Sequence, residues 1–139
     1  MGHGIAELIT MAEHNVYLMD VSDELVNEGY ERIEWSLEKL EQNGVLDTGD
    51  AAAAAERIKT FSQLDSAVAD ADIIIEAVPE DLGLKRRVFA NANDAAPEAT
   101  VFASNTSTIS DYRPLGGDRP PRTGLWHALF QFICSDVNR

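Results

Sequence analysis

Three short polar stretches could do chemistry, and each follows an apolar run. "NVYLMD" (15–20) ends in Asp20, "ADIIIEAVPE" (71–80) carries Glu76 and Glu80, and "TVFASNTS" (100–107) ends in Ser104 to Ser107, with Asn105 inside it. A carboxylate at the end of a strand can accept hydrogen bonds from neighbouring sugar hydroxyls. An amide and hydroxyls at another strand end can hold polar groups of a ligand. Lys85 follows Glu80 on the next element and offers a cation to an anionic ligand. Each feature also has a plainer account. Glu80 and Lys85 read equally as a first-turn acid and a solvated base, and Asn105 and Ser107 as a turn after a strand.

The elements that must position these residues alternate. Residues 4–13 put Ile5, Leu8, Ile9 and Ala12 at helical spacing. The run 15–20 then reads as a buried parallel strand. Ser22 can cap a long helix reaching about Gln42, with Asp23 and Glu24 in its first turn and Asn43-Gly44 closing it. A second helix fits about 48–58. "IKTFSQ" (58–63) is a weak strand, and a short helix at about 64–69 precedes the 71–80 strand, whose end Pro79 marks. Residues 81–94 return to helix with Leu84, Val88 and Phe89 facing inward, and 100–107 is a strand running into a polar loop. This is the α/β pattern of a parallel sheet covered by helices. Ligands of such sheets sit beyond the carboxyl ends of the strands, where the three polar stretches fall.

Composition narrows the classes. A chain of 139 residues, 45% of them apolar, can form one domain with a real core. No apolar run approaches the ~18 residues of a membrane-spanning helix, and no basic stretch leads an apolar one as in a signal peptide. The single cysteine, Cys134, excludes an internal disulfide framework and fits a reducing, cytoplasmic compartment. Acidic residues outnumber basic ones 24 to 11, and only Lys39, Lys59 and Lys85 are lysines. That surface repels nucleic acid and anionic membranes, so neither is expected as a partner. It also suits a salt-rich cytoplasm, although an acidic protein from an ordinary cell would read similarly. His3 and His14 are isolated, and no Cys/His spacing suggests a metal.

The opening "MGHGIAELIT" begins as a glycine-spaced helix with no strand before it. A dinucleotide-binding unit runs strand, G-x-G-x-x-G, helix, and the last glycine permits close packing of helix on strand. If Gly2 is that glycine, Asp20 lies at the tip of the second strand, about 20 residues on. There it would accept hydrogen bonds from the adenine ribose and repel a 2′-phosphate, favouring NAD over NADP. Gly2 and Gly4 as merely flexible terminal residues remain the alternative.

Taken together, "MGHGIAELITMAEHNVYLMDVS", "IIIEAVPEDLGLKRRVF" and "VFASNTSTIS" resemble the NAD-binding domain of the 3-hydroxyacyl-CoA dehydrogenases, a family that includes 3-hydroxybutyryl-CoA dehydrogenases. The resemblance runs from residue 1 to about 123. It implies an incomplete Rossmann-like, doubly wound parallel sheet lacking its first strand, with a helical excursion after the Asp20 strand. It assigns Gly2, Asp20, Ala77, Val78, Glu80, Lys85 and Asn105 to NAD. Asp20 would hold the adenosine ribose, with Ala77, Val78 and Glu80 along the cofactor. Ser107 would hydrogen-bond the 3-oxygen of an acyl-CoA substrate beside a catalytic histidine. The implied reaction is reversible hydride transfer between carbon 3 of a 3-hydroxyacyl-CoA and NAD. A histidine of near-neutral pKa would take the hydroxyl proton.

The resemblance then breaks. The family histidine stands in H-F-F-N-P, about 21 residues after the loop serine; here the chain reads "GLWHALFQFICSDVNR" and His127 is one position early. The partner glutamate and the helical C-terminal domain, which closes over acyl-CoA and forms the family's usual dimer, have no counterpart. Residues 124–139 are expected to be a divergent tail, and a shift of one nucleotide can recover Thr-His-Phe-Phe-Asn from one set of codons for 127–132. On that account the tail need not pack, and the gap at the missing strand leaves the middle of the sheet with unpaired backbone. His127 is otherwise a weak candidate base or an ordinary strand residue. Two functions stay open: an NAD-dependent dehydrogenase seen as a fragment truncated at both ends, and a non-catalytic remnant binding nucleotide weakly or not at all. A different Rossmann dehydrogenase, of the 3-hydroxyisobutyrate type, fits the S-N-T-S loop poorly. The helical excursion lies where the family contacts CoA, yet its bases, Arg32 and Lys39, are few.

Overall fold

The computed structural model describes residues 2–104 and 133–135. Helix α1 (Gly2–Met11) leads into strand β1 (Asn15–Met19), followed by α2 (Asp23–Gln42), α3 (Asp50–Glu56), β2 (Ile58–Phe61), α4 (Leu64–Val68), β3 (Ile73–Glu76), α5 (Leu82–Ala95), β4 (Val101–Ser104) and β5 (Ile133–Ser135). One sheet has the order β2-β1-β5-β3-β4. The pairs β1·β2 and β3·β4 are parallel, whereas β5 is antiparallel to both β1 and β3. The four longer strands therefore point the same way, as expected of an α/β fold.

The centre of the sheet departs from expectation. Val16 and Ile73 both take Cys134 as register partner, so β5 bridges the two parallel halves. The open middle predicted for a sheet without its first strand is spanned by residues 133–135, which pair with both flanking strands. Backbone polar groups flanking the gap favour any extended segment that can satisfy them.

Each face of the sheet has its own core, because strand side chains alternate. Val16 and Leu18 of β1 join Ala6, Ile33, Leu37, Ala51, Ala54, Ala55 and Ile58 under α1, α2 and α3. Tyr17 and Met19 turn to the other face, with Ala67, Val68, Ala71, Ile74 and Ala92 beneath α4 and α5. Helices on both faces make the fold doubly wound.

Local signals explain most boundaries. Ser22 caps α2, its hydroxyl accepting from the Leu25 N–H at 3.3 Å. At the other end Gly44 adopts φ 71° while its N–H reaches Glu41 O and the Val45 N–H reaches Leu40 O, a Schellman closure. The α3 N-terminus has glycine at its cap. The Glu41 carboxylate supplies what that residue lacks, accepting from the N–H groups of Gly49 at 3.0 Å and Ala51 at 3.1 Å.

Two helix faces differ from the periodic reading. In α1 the fully buried residues are Ala6 and Thr10, while Leu8 is 63% exposed and Ala12 is exposed. Ile5 and Ile9 do pack on the core. In α5 the buried positions are Lys85 and Ala92, with Leu84, Val88 and Phe89 only half-buried. A lysine is a poor sequence marker for an inward face, which is why spacing alone misplaced it.

Candidate functional site

The carboxyl ends of β1, β2, β3 and β4 lie along one edge of the sheet, since all four strands run in one direction. A turn over residues 12–14 reverses the chain between α1 and β1, which brings the α1 N-terminus, with Gly2, toward the same edge. The sequence motifs thus converge where the fold puts ligands.

Asp20 directly follows β1 and is exposed. Its own N–H donates to Phe61 O at 3.2 Å, fixing it at the end of the sheet. Its Oδ1 accepts from the Val21 N–H at 2.7 Å, which orients the carboxylate. Ala77 and Val78 are half-buried and carry the chain off β3 toward Pro79 and Glu80. Asp81 caps α5, its Oδ1 accepting from the Leu84 N–H at 2.7 Å. Gly4 has nothing within 4 Å of where a Cβ would stand, so it makes no close approach. Asn105, Ser107 and His127 lie outside the described residues.

Lys85 is placed differently from a surface base awaiting an anion. Its side chain is 2% exposed, with Nζ 3.0 Å from Glu80 Oε1 and 3.7 Å from Glu76 Oε2. Glu76 is itself buried at the end of β3, while Glu80 is 57% exposed at the sheet edge. Sequence reasoning gave Glu76 no role of its own. Its one signal was an acid closing an Ile-Ile-Ile strand eight residues before the Leu84-Lys85 pair.

The helical excursion frames a concavity of about 550 Å³ between α1 and α2, away from the sheet-edge residues above, lined by His3, Glu7, Glu28, Glu31, Arg32 and Trp35 among others. Three carboxylates face it, and Arg32 is ion-paired to Glu28. Lys39 donates to Gln42 at 2.9 Å and lies over the Trp35 ring. These bases are engaged locally, which suits the reading of a solvated acidic face. Burial lowers the His3 pKa from its ordinary value, with nearby positive charge including Arg32 adding to it. Among the described residues no group of three His, Cys, Asp or Glu side chains is arranged to hold a metal, and no helix is long and apolar enough to cross a membrane.

Residues 1–113 match the family model for the 3-hydroxyacyl-CoA dehydrogenase NAD-binding domain. This chain belongs to the 3-hydroxyacyl-CoA dehydrogenase family. It is 32% identical over 114 residues to a probable 3-hydroxyacyl-CoA dehydrogenase of Caenorhabditis elegans, covering 78% of this chain and 37% of that protein. It is 31% identical over 114 residues to the mitochondrial hydroxyacyl-coenzyme A dehydrogenase of Rattus norvegicus, covering 78% of this chain and 36% of that one. Among solved structures, (S)-3-hydroxybutyryl-CoA dehydrogenase from Ralstonia eutropha superposes with a TM-score of 0.74 at 35% identity, over 79% of this chain and 38% of that chain. The Escherichia coli 3-hydroxybutyryl-CoA dehydrogenase gives 0.75 at 32% identity, over 79% and 23% respectively. The chain therefore spans little more than a third of the first two relatives.

The residues present fit the family's cofactor, NAD. Exposed carboxylates stand just after β1, at Asp20, and in the loop after β3, at Glu80; acceptors of that kind suit ribose hydroxyls, and one at the Asp20 position opposes a 2′-phosphate. Bound there, NAD would supply a hydride-accepting ring. The chain supplies orientation.

Proposed function

We propose that this chain is the NAD-binding part of an enzyme that oxidises 3-hydroxyacyl-CoA to 3-oxoacyl-CoA in fatty-acid β-oxidation or related acyl-CoA metabolism. The observation that carries the reading is the placement of Asp20 and Glu80, just beyond two strands that run in the same direction, at one carboxyl edge of a family-type sheet. Asp20 would hold the adenosine ribose and Glu80 the other half of the dinucleotide, with Ala77 and Val78 lining the path. By resemblance Asn105 contacts the cofactor and Ser107 hydrogen-bonds the substrate 3-oxygen. His127 is a weak candidate to take the hydroxyl proton. The proton and hydride leave the same carbinol, so a base and a hydride acceptor must flank it. The composition supports a cytoplasmic setting rich in salt, with 24 acids against 11 bases.

Calorimetric titration with NADH and NADPH tests the binding half. Binding of NADH at least about tenfold tighter than NADPH, with the preference lost in Asp20→Ala, is expected. Equal affinity for the two would sink the assignment of Asp20. Absorbance at the reduced nicotinamide band with 3-hydroxybutyryl-CoA and NAD tests the catalytic half. Tight NADH binding without turnover would favour the non-catalytic reading.

A further inference from the structure

We propose that the seat between β1 and β3 is a strand-acceptor site, at which an extended apolar peptide displaces β5 and completes the sheet. Hydrogen-bond directions define the seat. In β1 the Val16 N–H donates to Arg57 O at 2.9 Å and the Asp20 N–H follows β1 to Phe61 O at 3.2 Å, so the even-numbered residues turn their backbone groups toward β2. The groups of Tyr17 and Met19 turn the other way, into the seat. In front of β3 the Asp72 carbonyl accepts from the Val101 N–H at 2.9 Å, on the β4 side. Ile73 and Ile75 therefore face the seat from across it. Among the described residues β5 registers with Asn15, Val16 and Tyr17 and with Ile73 and Ile74, and its pairing stops before Met19 and Ile75. Those two residues hold the carboxyl end of the seat, where backbone groups call for a partner strand.

Neighbouring strands lie about 4.8 Å apart, so the seat takes one strand at a time and an incoming strand must replace β5. The two cores set the chemistry of that strand. Val16, Leu18 and Ile75 flank the seat on one face of the sheet, and Tyr17, Met19 and Ile74 on the other. A strand between them buries both of its faces and is best apolar throughout rather than alternating. Ile133-Cys134-Ser135 is short and ends on a hydroxyl, so it meets that demand poorly. Acidic side chains are opposed twice, by the cores and by the net charge of −13. The tether of β5 gives it a high effective concentration at the seat. A longer apolar strand offsets that advantage with the additional pairs at Met19 and Ile75.

The probe is a blocked peptide of about seven residues, Lys-Val-Ile-Val-Ile-Val-Lys, whose terminal lysines oppose its own stacking. The control carries proline at the central position and keeps the charge. Fluorescence anisotropy gives both affinities for the full chain, and amide exchange read residue by residue by NMR locates the peptide. We expect the probe to bind at least about tenfold more tightly than the control. Bound probe should slow exchange at Met19 and Ile75 by about tenfold or more, while residues 133–135 exchange faster by a similar factor. Ser135→Pro removes a β5 donor and should tighten probe binding about tenfold; should that variant fail to fold, the exchange pattern of the wild-type chain decides. Equal affinity for probe and control, or unchanged probe affinity in a folded Ser135→Pro, overturns the proposal. So does new protection at Thr60 or Phe102 instead, whose backbone groups face outward on the edge strands β2 and β4 and would mark ordinary edge addition. If light scattering shows the chain alone to be a dimer that the probe leaves intact, a second copy holds the seat and the proposal falls.

Discussion

Val16 in β1 and Ile73 in β3 share the register partner Cys134 of β5, as Tyr17 and Ile74 share Ile133, so the two parallel halves of the sheet meet through this short strand. Each backbone N–H of a strand flanked on both sides faces a neighbouring strand. Cys134→Pro removes such a donor and adds a ring where the ladder has no room. The variant is expected to lose about 3 kcal/mol of stability, read as a lower urea midpoint. An unchanged midpoint would mean that the antiparallel strand contributes nothing to the sheet.

Two helices close with the same hydrogen-bond pattern but different residues at the left-handed position. After α2 that residue is Gly44; after α1 it is Glu13, at φ 65°, with the His14 N–H reaching Ile9 O and the Glu13 N–H reaching Thr10 O. A side chain in this conformation costs about 1 kcal/mol or more. Glu13→Gly should therefore raise the melting temperature by a few degrees despite the general cost of glycine in the unfolded chain. Gly44→Ala should lower it by a comparable amount. Opposite signs in the two melts identify the backbone conformation as the cause; equal signs would refute it.

Those two positions also show what the sequence made legible. Asn43-Gly44 announces its closure because glycine is the residue the geometry prefers, whereas Glu13 carries no such mark. The strand tips were readable for a similar reason. An apolar run ending in Asp20 or in Glu76-Ala77-Val78-Pro79-Glu80 fixes the strand, its direction and the edge where its polar end emerges. Burial of Lys85 was not readable, since a lysine goes inside only when tertiary contacts bring carboxylates to it, here one from a strand and one from a loop. Nor was β5. Three residues carry no periodicity, so although a gap in the middle of the sheet was expected, nothing in the sequence marked 133–135 as the segment that fills it.

His3 makes a pH prediction with a definite sign. Burial in the cleft between α1 and α2 lowers its folded-state pKa below the ordinary imidazole value. As pH falls, the unfolded chain takes up the proton first. The stabilisation is therefore complete above the unfolded imidazole pKa and is lost as pH drops through it toward the lower folded value. Other groups also contribute to acid sensitivity, so the informative quantity is the difference in melting temperature between wild type and His3→Gln. That difference should shift against the wild type on going from about pH 8 to about pH 5. A difference independent of pH would show that His3 protonates equally in both states.

Charge sets the last prediction. A formal net charge of −13 on 139 residues means that folding brings many carboxylates together with few cations to offset them. Among the described residues the matched ones include Glu28 with Arg32 and the Glu76–Lys85–Glu80 group. In dilute buffer the Debye length reaches ~30 Å at 0.01 M and the repulsion acts across the whole domain; at 1 M it shrinks to ~3 Å and only contacting charges interact. The melting temperature should rise steeply between those concentrations of potassium chloride and continue upward only slowly beyond. Guanidinium chloride would screen and denature at once, so urea is the denaturant for the companion series. A buried ion group is screened less than a surface one, so the salt response of Glu76→Gln/Lys85→Met should parallel that of the wild type. A flat salt profile in the wild type would argue that the acids are locally compensated and that the composition says nothing of a saline cytoplasm.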